Sequence, residues 1–456
     1  MGTGQLTKLV GSTVLAGQLA ACSVGPEYKQ PTMDTPPRFS VLAADAKKPV
    51  PTAPWWQGFK DPVLDELVSR ALRDNIRLNQ ARRRVDEAEA LALTAVPFVD
   101  VNGRVESQLA SSNVGDDRSL ASATGFATFF GPRKHRIDVA QARVDLARAE
   151  RDGARLLLLS NLISAYIDLR FVQERLALKQ RERQSWLRTL RDLRSLQAQG
   201  ATTRLDIVQP KAALAVTEAE IANLFSEITR QKNRIATLLG APAGVTKLDL
   251  GYGGQQPMPH FSVAAGVPAD LISNRPDIRS AERNYRVAVA EIGVAEALRY
   301  PTLTLSGTVS VRSDTDPVTG GLGVLGANIP IFDQGGRQAT VTAREIQANI
   351  AFLEWKARVL AAIEEVETLL ASMGNTEKAI SASRQGVALN SEAVSLARKL
   401  LRAQEISVLD FVGLQRNLLN AQADLAQNRR QAAANYVALQ LAVGAGSVST
   451  AIVPAY

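Results

Sequence analysis

Few residues in this 456-residue chain have the types and spacing that a chemical site requires. The two histidines, His135 and His260, have no second His or Cys at metal-ligand spacing. Residues 321–326 match the pattern GxGxxG, but a dinucleotide loop must open a helix, and here an extended run leads on to Pro330. The acidic cluster at 364–367 falls within a helical pattern and is typical of a solvated or interhelical salt-bridge face. The sequence therefore predicts no enzyme, no metal site and no bound cofactor.

The only cysteine, Cys22, ends an N-terminal segment with the features of a signal peptide. Residues 1–21 carry one positive side chain, Lys8, before a mildly apolar run that is too short to span a bilayer. Residues 19–21, Leu-Ala-Ala, place small side chains directly before the thiol, which resembles a bacterial lipobox. One cysteine cannot form an internal disulfide. We expect cleavage before Cys22 and a covalent lipid on its thiol; the alternative is an unmodified cysteine in an ordinary signal peptide.

The formal net charge of +8 would fit a nucleic-acid binder. Basic residues alternate with acids, however, as at 181–183, so a solvated helical surface is the better interpretation and no nucleic-acid partner is predicted. No segment after Cys22 reaches 18 consecutive apolar residues, so we exclude a helical membrane span and expect any crossing to be made by β-strands. Long stretches rich in Ala, Leu, Arg, Gln and Glu are typical of long packed helices.

Proline placement shows where long helices can form, because proline breaks helix interiors. No proline lies within residues 133–209 or 331–453. Apolar residues recur there at spacings of three and four, so we expect helices of about 65 residues that pack sideways as coiled coils. Leu-Asp-Ile-Val at 205–208 matches Leu-Asp-Phe-Val at 409–412. We therefore predict a tandem repeat.

Two pairs of extended runs predict two β-hairpins. Residues 302–311 alternate strictly between Leu, Gly or Val and Thr or Ser, over the length of a transmembrane strand, and residues 98–109 alternate likewise. Each run is followed by a polar loop and a second run, at 121–130 and 323–332. A soluble sheet would also alternate. If the strands lie in a membrane, several chains must share one barrel, because four strands are too few to close it and open edges are unsatisfied in hydrocarbon.

Changes of composition divide the chain, and Gly and Pro at 240–244 mark its main junction. The predicted segments are a signal peptide at 1–21, a lipidated extended segment at 22–61, a first repeat at 62–244 with a hairpin at 98–130, a linker at 245–265, a second repeat at 266–443 with a hairpin at 302–332, and a tail at 444–456. The predicted fold class is mainly α with a small β part.

Motifs along nearly the whole chain resemble those of outer-membrane factor lipoproteins of the TolC/OprM efflux type. They are CSVGPEY at 22–28, WWQGFKDP at 55–62, GVPADL at 266–271, RPDI at 275–278 and IPIFDQGGR at 329–337. Any one motif is moderately specific. All of them in this order, across two repeats, are strongly specific.

The resemblance implies a homotrimer in which each chain gives four strands to a twelve-stranded barrel in the cell outer membrane. It also implies a long periplasmic α-helical coiled-coil tunnel, closed at its tip until it docks to a periplasmic adaptor protein and an inner-membrane pump. The implied function is the outer-membrane channel of a tripartite efflux pump for small molecules such as drugs. The lipid on Cys22 would supplement the barrel as an anchor in outer-membrane lipid, since one acyl chain binds weakly.

The resemblance further implies a periplasmic aperture and adaptor-binding tip at two turns. The residues concerned are Gly200, Asp206, Gln209, Gln404, Leu409, Asp410, Gly413 and Arg416. By themselves, Asp206 and Asp410 precede apolar helix and predict helix capping worth about 0.5–2 kcal/mol. Gln404 stands where the family usually has glycine, so we expect a different backbone conformation in the second turn. Gly413 stands where many members carry an acid, which argues against a negative ring at that level.

Two alternatives remain open at this stage. Within the same family, the channel would export proteins or metal ions, although no Met- and His-rich stripe supports metal handling. Outside it, the chain would be a periplasmic coiled-coil scaffold lipoprotein with no pore.

Overall fold

The computed structural model describes residues 25–40, 54–95, 99–108, 118–128, 132–198, 202–244, 250–251, 256–258, 267–300, 302–312, 320–328 and 334–446. The helices are α1 (Pro62–Asp74), α2 (Ile76–Thr94), α3 (Arg133–Ala198), α4 (Arg204–Leu238), α5 (Pro268–Asn274), α6 (Pro276–Ala297), α7 (Gly336–Arg402) and α8 (Val408–Ala442). The strands are β1 (Val99–Gln108), β2 (Arg118–Thr128), β3 (Thr302–Arg312) and β4 (Gly320–Asn328). Cys22, with its predicted signal peptide, Gly200 and the predicted hairpin loops lie outside the described residues.

The same order of elements occurs twice along the chain. Two shorter helices lead into a β-hairpin, which leads into a long helix and then a helix of 35 residues. The long helices α3 and α7 have 66 and 67 residues, which corresponds to about 100 Å each. Both lie in the proline-free intervals. Pro210 does not mark a helix end, because α4 contains it as its seventh residue, close to the start where few backbone bonds are lost.

The four strands form one antiparallel sheet in the order β1-β2-β3-β4. The central pair, β2 with β3, joins the two hairpins, with Gly125 opposite Gly307. The second strand of each hairpin begins three residues before the predicted run, at Arg118 and Gly320. In the described sheet β1 and β4 each pair with one strand only, so each has a free edge.

One compact unit comprises residues 1–33, 82–150 and 277–358. Its described core lies between α6 and the start of α7 and consists of Val289, Ile292, Ala295, Val341 and Ala348. The carboxylate of Glu291 on α6 pairs with Arg143 of α3 at 3.1 Å and with Arg344 of α7 at 2.7 Å. One acidic side chain therefore links three helices of this unit.

The N-terminal segment of this first unit is attached to α6 and α3. The Tyr28 hydroxyl donates to a carboxylate oxygen of Glu282, and its ring lies 6.0 Å from that of Tyr285. Three residues earlier, Gly25 has a φ of +129° and lies so close to Gly293 and His135 that a Cβ at Gly25 would be 2.8 Å from the Gly293 Cα. Glycine is required here both for the backbone conformation and for the close approach.

The second compact unit comprises residues 34–81, 151–276 and 359–456. A short 3₁₀ helix, Trp55–Phe59, packs against the C-terminal end of α8: the Trp55 indole donates to the Ala445 carbonyl at 3.1 Å, and Phe59 contacts Tyr436 edge-on. Asp61 caps α1 and accepts a hydrogen bond of 2.6 Å from the hydroxyl of Tyr166 on α3. The motif at 55–62 therefore joins α1, α3 and α8.

Helix α3 contains a stretch that is long and apolar enough to cross a membrane, judged by length and composition alone. Of this stretch, 67% is buried inside the protein, as in a core helix. The argument against a helical span therefore rests on burial as well as on the length of uninterrupted apolar runs.

Candidate functional site

The two turns that carry the predicted tip residues share one hydrophobic core in the second unit. This core joins the ends of α3 and α7 to the starts of α4 and α8. Its buried members are Trp186, Leu190, Leu193, Ile207, Val394, Ala397, Leu401, Val408, Phe411 and Val412. Because the four helix ends pack on the same side chains, a change at one turn affects the position of the other.

The first turn ends in a capping box at the start of α4. The Thr203 hydroxyl accepts from the Asp206 backbone N–H at 3.4 Å, and the Asp206 carboxylate accepts from the Thr203 backbone N–H at 2.8 Å and from its hydroxyl at 2.7 Å. These bonds satisfy backbone donors that a helix start leaves unpaired. Asp206 is therefore a capping residue, as its position in the sequence predicts.

The second turn has the same type of cap at the start of α8. The Ser407 hydroxyl accepts from the Asp410 N–H at 3.1 Å and donates to the Asp410 carboxylate at 2.6 Å. Gln404 adopts a φ of +61°, in the left-handed region that glycine occupies most readily. At this position the turn takes a glycine-like conformation without glycine.

A groove of about 830 Å³ lies between α3, α4 and α8 beside these turns. Gln209, Leu409, Gly413 and Arg416 line it, so the fold brings together four of the predicted tip residues. Leu409 is exposed over 62% of its surface. A Cβ at Gly413 would meet open space, so the groove has room for the acidic side chain that many family members carry.

The floor of this groove contains a polar network that sequence reasoning missed. Glu182, 9% exposed, accepts from the Trp186 indole at 3.3 Å and the Thr217 hydroxyl at 3.1 Å, and it pairs with Lys179 at 2.9 Å. Lys179 also pairs with Glu220 of α4. Burial alone lowers the pKa of Lys179, but the bonds to Glu220 and Glu182 outweigh burial and raise this pKa. The spacing of Lys179 and Glu182, three residues apart on one helix face, was the available signal.

Arg416, one of the four predicted residues that line the groove, is exposed. In the part of the chain that the structure describes, no carboxylate lies within ion-pair distance of its guanidinium. The described residues also contain no cluster of three or more His, Cys, Asp or Glu that could hold a metal ion. The arrangement is suited to packing, capping and contact with another molecule.

Comparison with known proteins gives a consistent result. The family described as outer membrane efflux protein matches residues 67–241 and 267–445. Nodulation protein T of Rhizobium leguminosarum bv. trifolii is 35% identical over 454 residues, covering 94% of this chain and 95% of that protein. The cation efflux system protein CusC of Escherichia coli O6:H1 is 25% identical, covering 94% of this chain and 96% of that protein.

A solved structure of the outer-membrane channel OprN superposes with a TM-score of 0.83 at 25% identity. It covers 93% of this chain and 100% of the OprN chain. The similarity therefore extends over both element repeats and both hairpins, and is not limited to the turns.

Proposed function

This chain belongs to the outer membrane efflux protein family, and from that premise we propose that it is the outer-membrane channel of a tripartite efflux pump. The observation that carries the proposal is the sheet β1–β4 with its two free edges. Backbone groups at a free edge cannot remain unpaired in hydrocarbon, so the edges must pair with strands of other copies. In a homotrimer, the twelve strands close into one barrel, and α3, α4, α7 and α8 extend from this barrel into the periplasm.

We also propose that the protein is lipid-anchored through Cys22. Gly25 contacts His135 and Gly293 in the first unit. His135 lies seven residues after the end of β2, and Gly293 lies nine residues before the start of β3. Cys22 is three residues from Gly25 and is thus within about 11 Å of it, because a chain extends at most about 3.6 Å per residue. This reach supports a lipid placed close to the strands.

The proposed partners are two further copies of the chain, a periplasmic adaptor and an inner-membrane transporter. Small organic molecules are the proposed cargo, chosen by the transporter and conducted by this channel. The similarity to a protein named for cation efflux favours metal-ion export as the second candidate. We propose no catalytic step and no cofactor other than the covalent lipid.

Single-channel recording tests the pore. Purified Cys22→Ala protein lacks the proposed lipid, so any membrane insertion in a planar bilayer must come from the fold itself. We expect detergent-dependent trimers that give discrete conductance steps. Folded trimers without discrete steps, or protein that stays soluble as a monomer without detergent, would favour a scaffold with no pore.

A transport assay in cells separates the two cargoes. Cells that lack their own channel and express this chain with its pump should regain resistance to small organic toxicants. Regained tolerance of metal ions alone would shift the proposal to metal-ion export.

A further inference from the structure

The positive charge of the chain is concentrated around the two turns. Residues 175–216 and 384–420 contain 14 Lys and Arg against six Asp and Glu. That excess of eight equals the net charge of the whole chain, so the remainder is neutral. A local excess of this size attracts anionic groups to this end of the molecule.

Several arginines elsewhere in the described structure are paired with carboxylates. Examples within one unit or the other are Arg148 with Glu89, Arg286 with Asp145, Arg275 with Glu365, Arg429 with Glu174 and Arg430 with Asp168. In each of these pairs, an arginine is joined to a carboxylate of another helix.

A second groove, of about 470 Å³ between α3, α7 and α8, departs from this pattern. Five cations line it: Arg181, Arg188, Arg398, Lys399 and Arg402. Its one lining carboxylate, Glu182, is already bound by Lys179, Trp186 and Thr217.

The contacts of these five cations leave most of their charge uncompensated. The Arg402 guanidinium lies 3.7 Å from Asp192, a long ion pair between exposed side chains. Arg398 stacks over the Phe411 ring at 5.8 Å, and Arg181 donates to a backbone carbonyl. Among the described residues, Arg188 and Lys399 have no carboxylate partner. Like charges placed this close repel, and carboxylates from a binding partner relieve that repulsion.

The uncharged residues that line the groove suit a helix. Its small members, Ser185, Ser391 and Ser395, allow a backbone to approach closely, and Val394, Leu418 and Leu419 provide apolar surface. Ser391 and Ser395 are four residues apart and therefore lie on one face of α7. Apolar surface and small residues flanked by cations match an amphipathic helix that carries acids along its edges.

We propose that this groove binds an acidic amphipathic helix of a partner protein. The identification of that partner as the periplasmic adaptor rests on the function proposed above. A second copy of this chain is the poorer occupant, because its own helix ends add eight more positive charges at the same place. The charge of the groove thus defines which adaptors this channel accepts.

A matched pair of helical peptides tests the proposal on the full-length protein in detergent. Both peptides have about 20 residues, which is long enough for a stable helix, with Leu and Ala along one face. One carries Glu along the edges of that face and the other carries Gln. Fluorescence anisotropy should show the Glu peptide binding at least about tenfold more tightly, with an advantage that falls at high salt.

Two sets of substitutions locate the binding. Arg188→Glu with Lys399→Glu should abolish the preference for the Glu peptide. Lys378→Glu with Arg384→Glu is the matched control, because Lys378 and Arg384 are exposed cations on the same helix α7, outside the groove, and the pair makes the same change in charge. Unchanged circular dichroism and trimer elution establish that each variant is folded.

Three results would overturn the inference: equal binding of the Glu and Gln peptides, equal loss in the control variant Lys378→Glu with Arg384→Glu, or displacement of the Glu peptide by inorganic polyphosphate at matched charge. The last would assign the groove to anions in general. Failure here is separable from failure of the proposed function. Trimers that conduct but do not prefer the Glu peptide contradict only the groove, whereas trimers that bind the peptide without conducting contradict only the pore.

Discussion

At the scale of single residues, the two turns depend on caps that are alike in chemistry and differ in sequence. Thr203 with Asp206 and Ser407 with Asp410 share two bonds, one from the backbone N–H of the aspartate to the hydroxyl and one from the hydroxyl to the carboxylate. The first cap also has a bond from the Thr203 N–H to the Asp206 carboxylate. The loss of such a cap costs about 1 kcal/mol. Thr203→Ala should therefore speed hydrogen exchange of the first α4 amides about fivefold, since 1.4 kcal/mol corresponds to tenfold.

Thr202→Ala is the matched control for that cap. The Thr202 hydroxyl is buried and has no hydrogen-bond partner among the described residues, so its removal should leave exchange unchanged or slower. Equal acceleration in both variants would mean that the capping box does not hold the helix start.

Gln404 provides a second test at this scale. Holding a non-glycine residue in the left-handed region costs about 1–2 kcal/mol of folding free energy. Glycine avoids this cost, but its more flexible unfolded chain makes folding about 0.4–1 kcal/mol less favourable. Gln404→Gly should therefore raise the free energy of unfolding by up to about 1.6 kcal/mol, measured by denaturant titration. Gln404→Ala keeps the strain and should be neutral; a gain as large in Gln404→Ala would contradict this account.

At the scale of elements, the contact of α6 with α3 depends on one absent methyl group. Gly293 lies against the buried ring of His135, and a Cβ at 293 would collide with that ring. Within a helix, Gly→Ala ordinarily stabilises by about 1 kcal/mol. Gly293→Ala should instead destabilise by about 1–3 kcal/mol through overpacking, measured as a lower melting temperature.

Gly374 in α7 supplies the comparison, because a Cβ there meets nothing within 4 Å. Gly374→Ala should stabilise by about 0.5–1 kcal/mol. If the His135 ring is the obstacle, adding His135→Ala to Gly293→Ala should recover part of the lost stability. Additive effects of the two substitutions would instead lower the stability further.

The elements also show which parts of the fold the sequence could predict. Absence of proline and apolar spacing located α3 and α7, and period-two alternation predicted both hairpins, whose second strands begin three residues before the predicted runs. Both signals involve residues close together in the sequence, so the sequence alone is enough to detect them. The start of α4 at Arg204 needed the capping pattern, since Pro210 lies inside that helix.

Contacts between distant positions could not be read in this way. Trp55 with Ala445 and Tyr28 with Glu282 join residues hundreds of positions apart, and only the folded chain shows why the motifs at 22–28 and 55–62 have their residues. The groove shows the same limit. Gln209, Leu409, Gly413 and Arg416 were assigned to it by resemblance, whereas the network around Glu182 came from the structure alone.

At the scale of the whole molecule, we propose that contacts between several chains close an aperture at the turns. Arg416 has no carboxylate partner among the described residues of one chain. We propose that in a closed tip its guanidinium contacts a neighbouring copy. Arg416→Ala should therefore raise single-channel conductance in planar bilayers and let large antibiotics leak into cells. Arg234→Ala, which removes an exposed arginine from α4 away from the groove, should change neither.

Asp410 requires a subtler change, because Asp410→Ala would remove a cap as well as a charge. Asp410→Asn keeps an oxygen that accepts from the Ser407 hydroxyl and removes only the negative charge. If that charge helps to close the aperture between copies, Asp410→Asn should raise conductance while exchange of the first α8 amides stays slow. Faster hydrogen exchange of these amides with normal conductance would indicate that Asp410 only stabilises the start of its own helix.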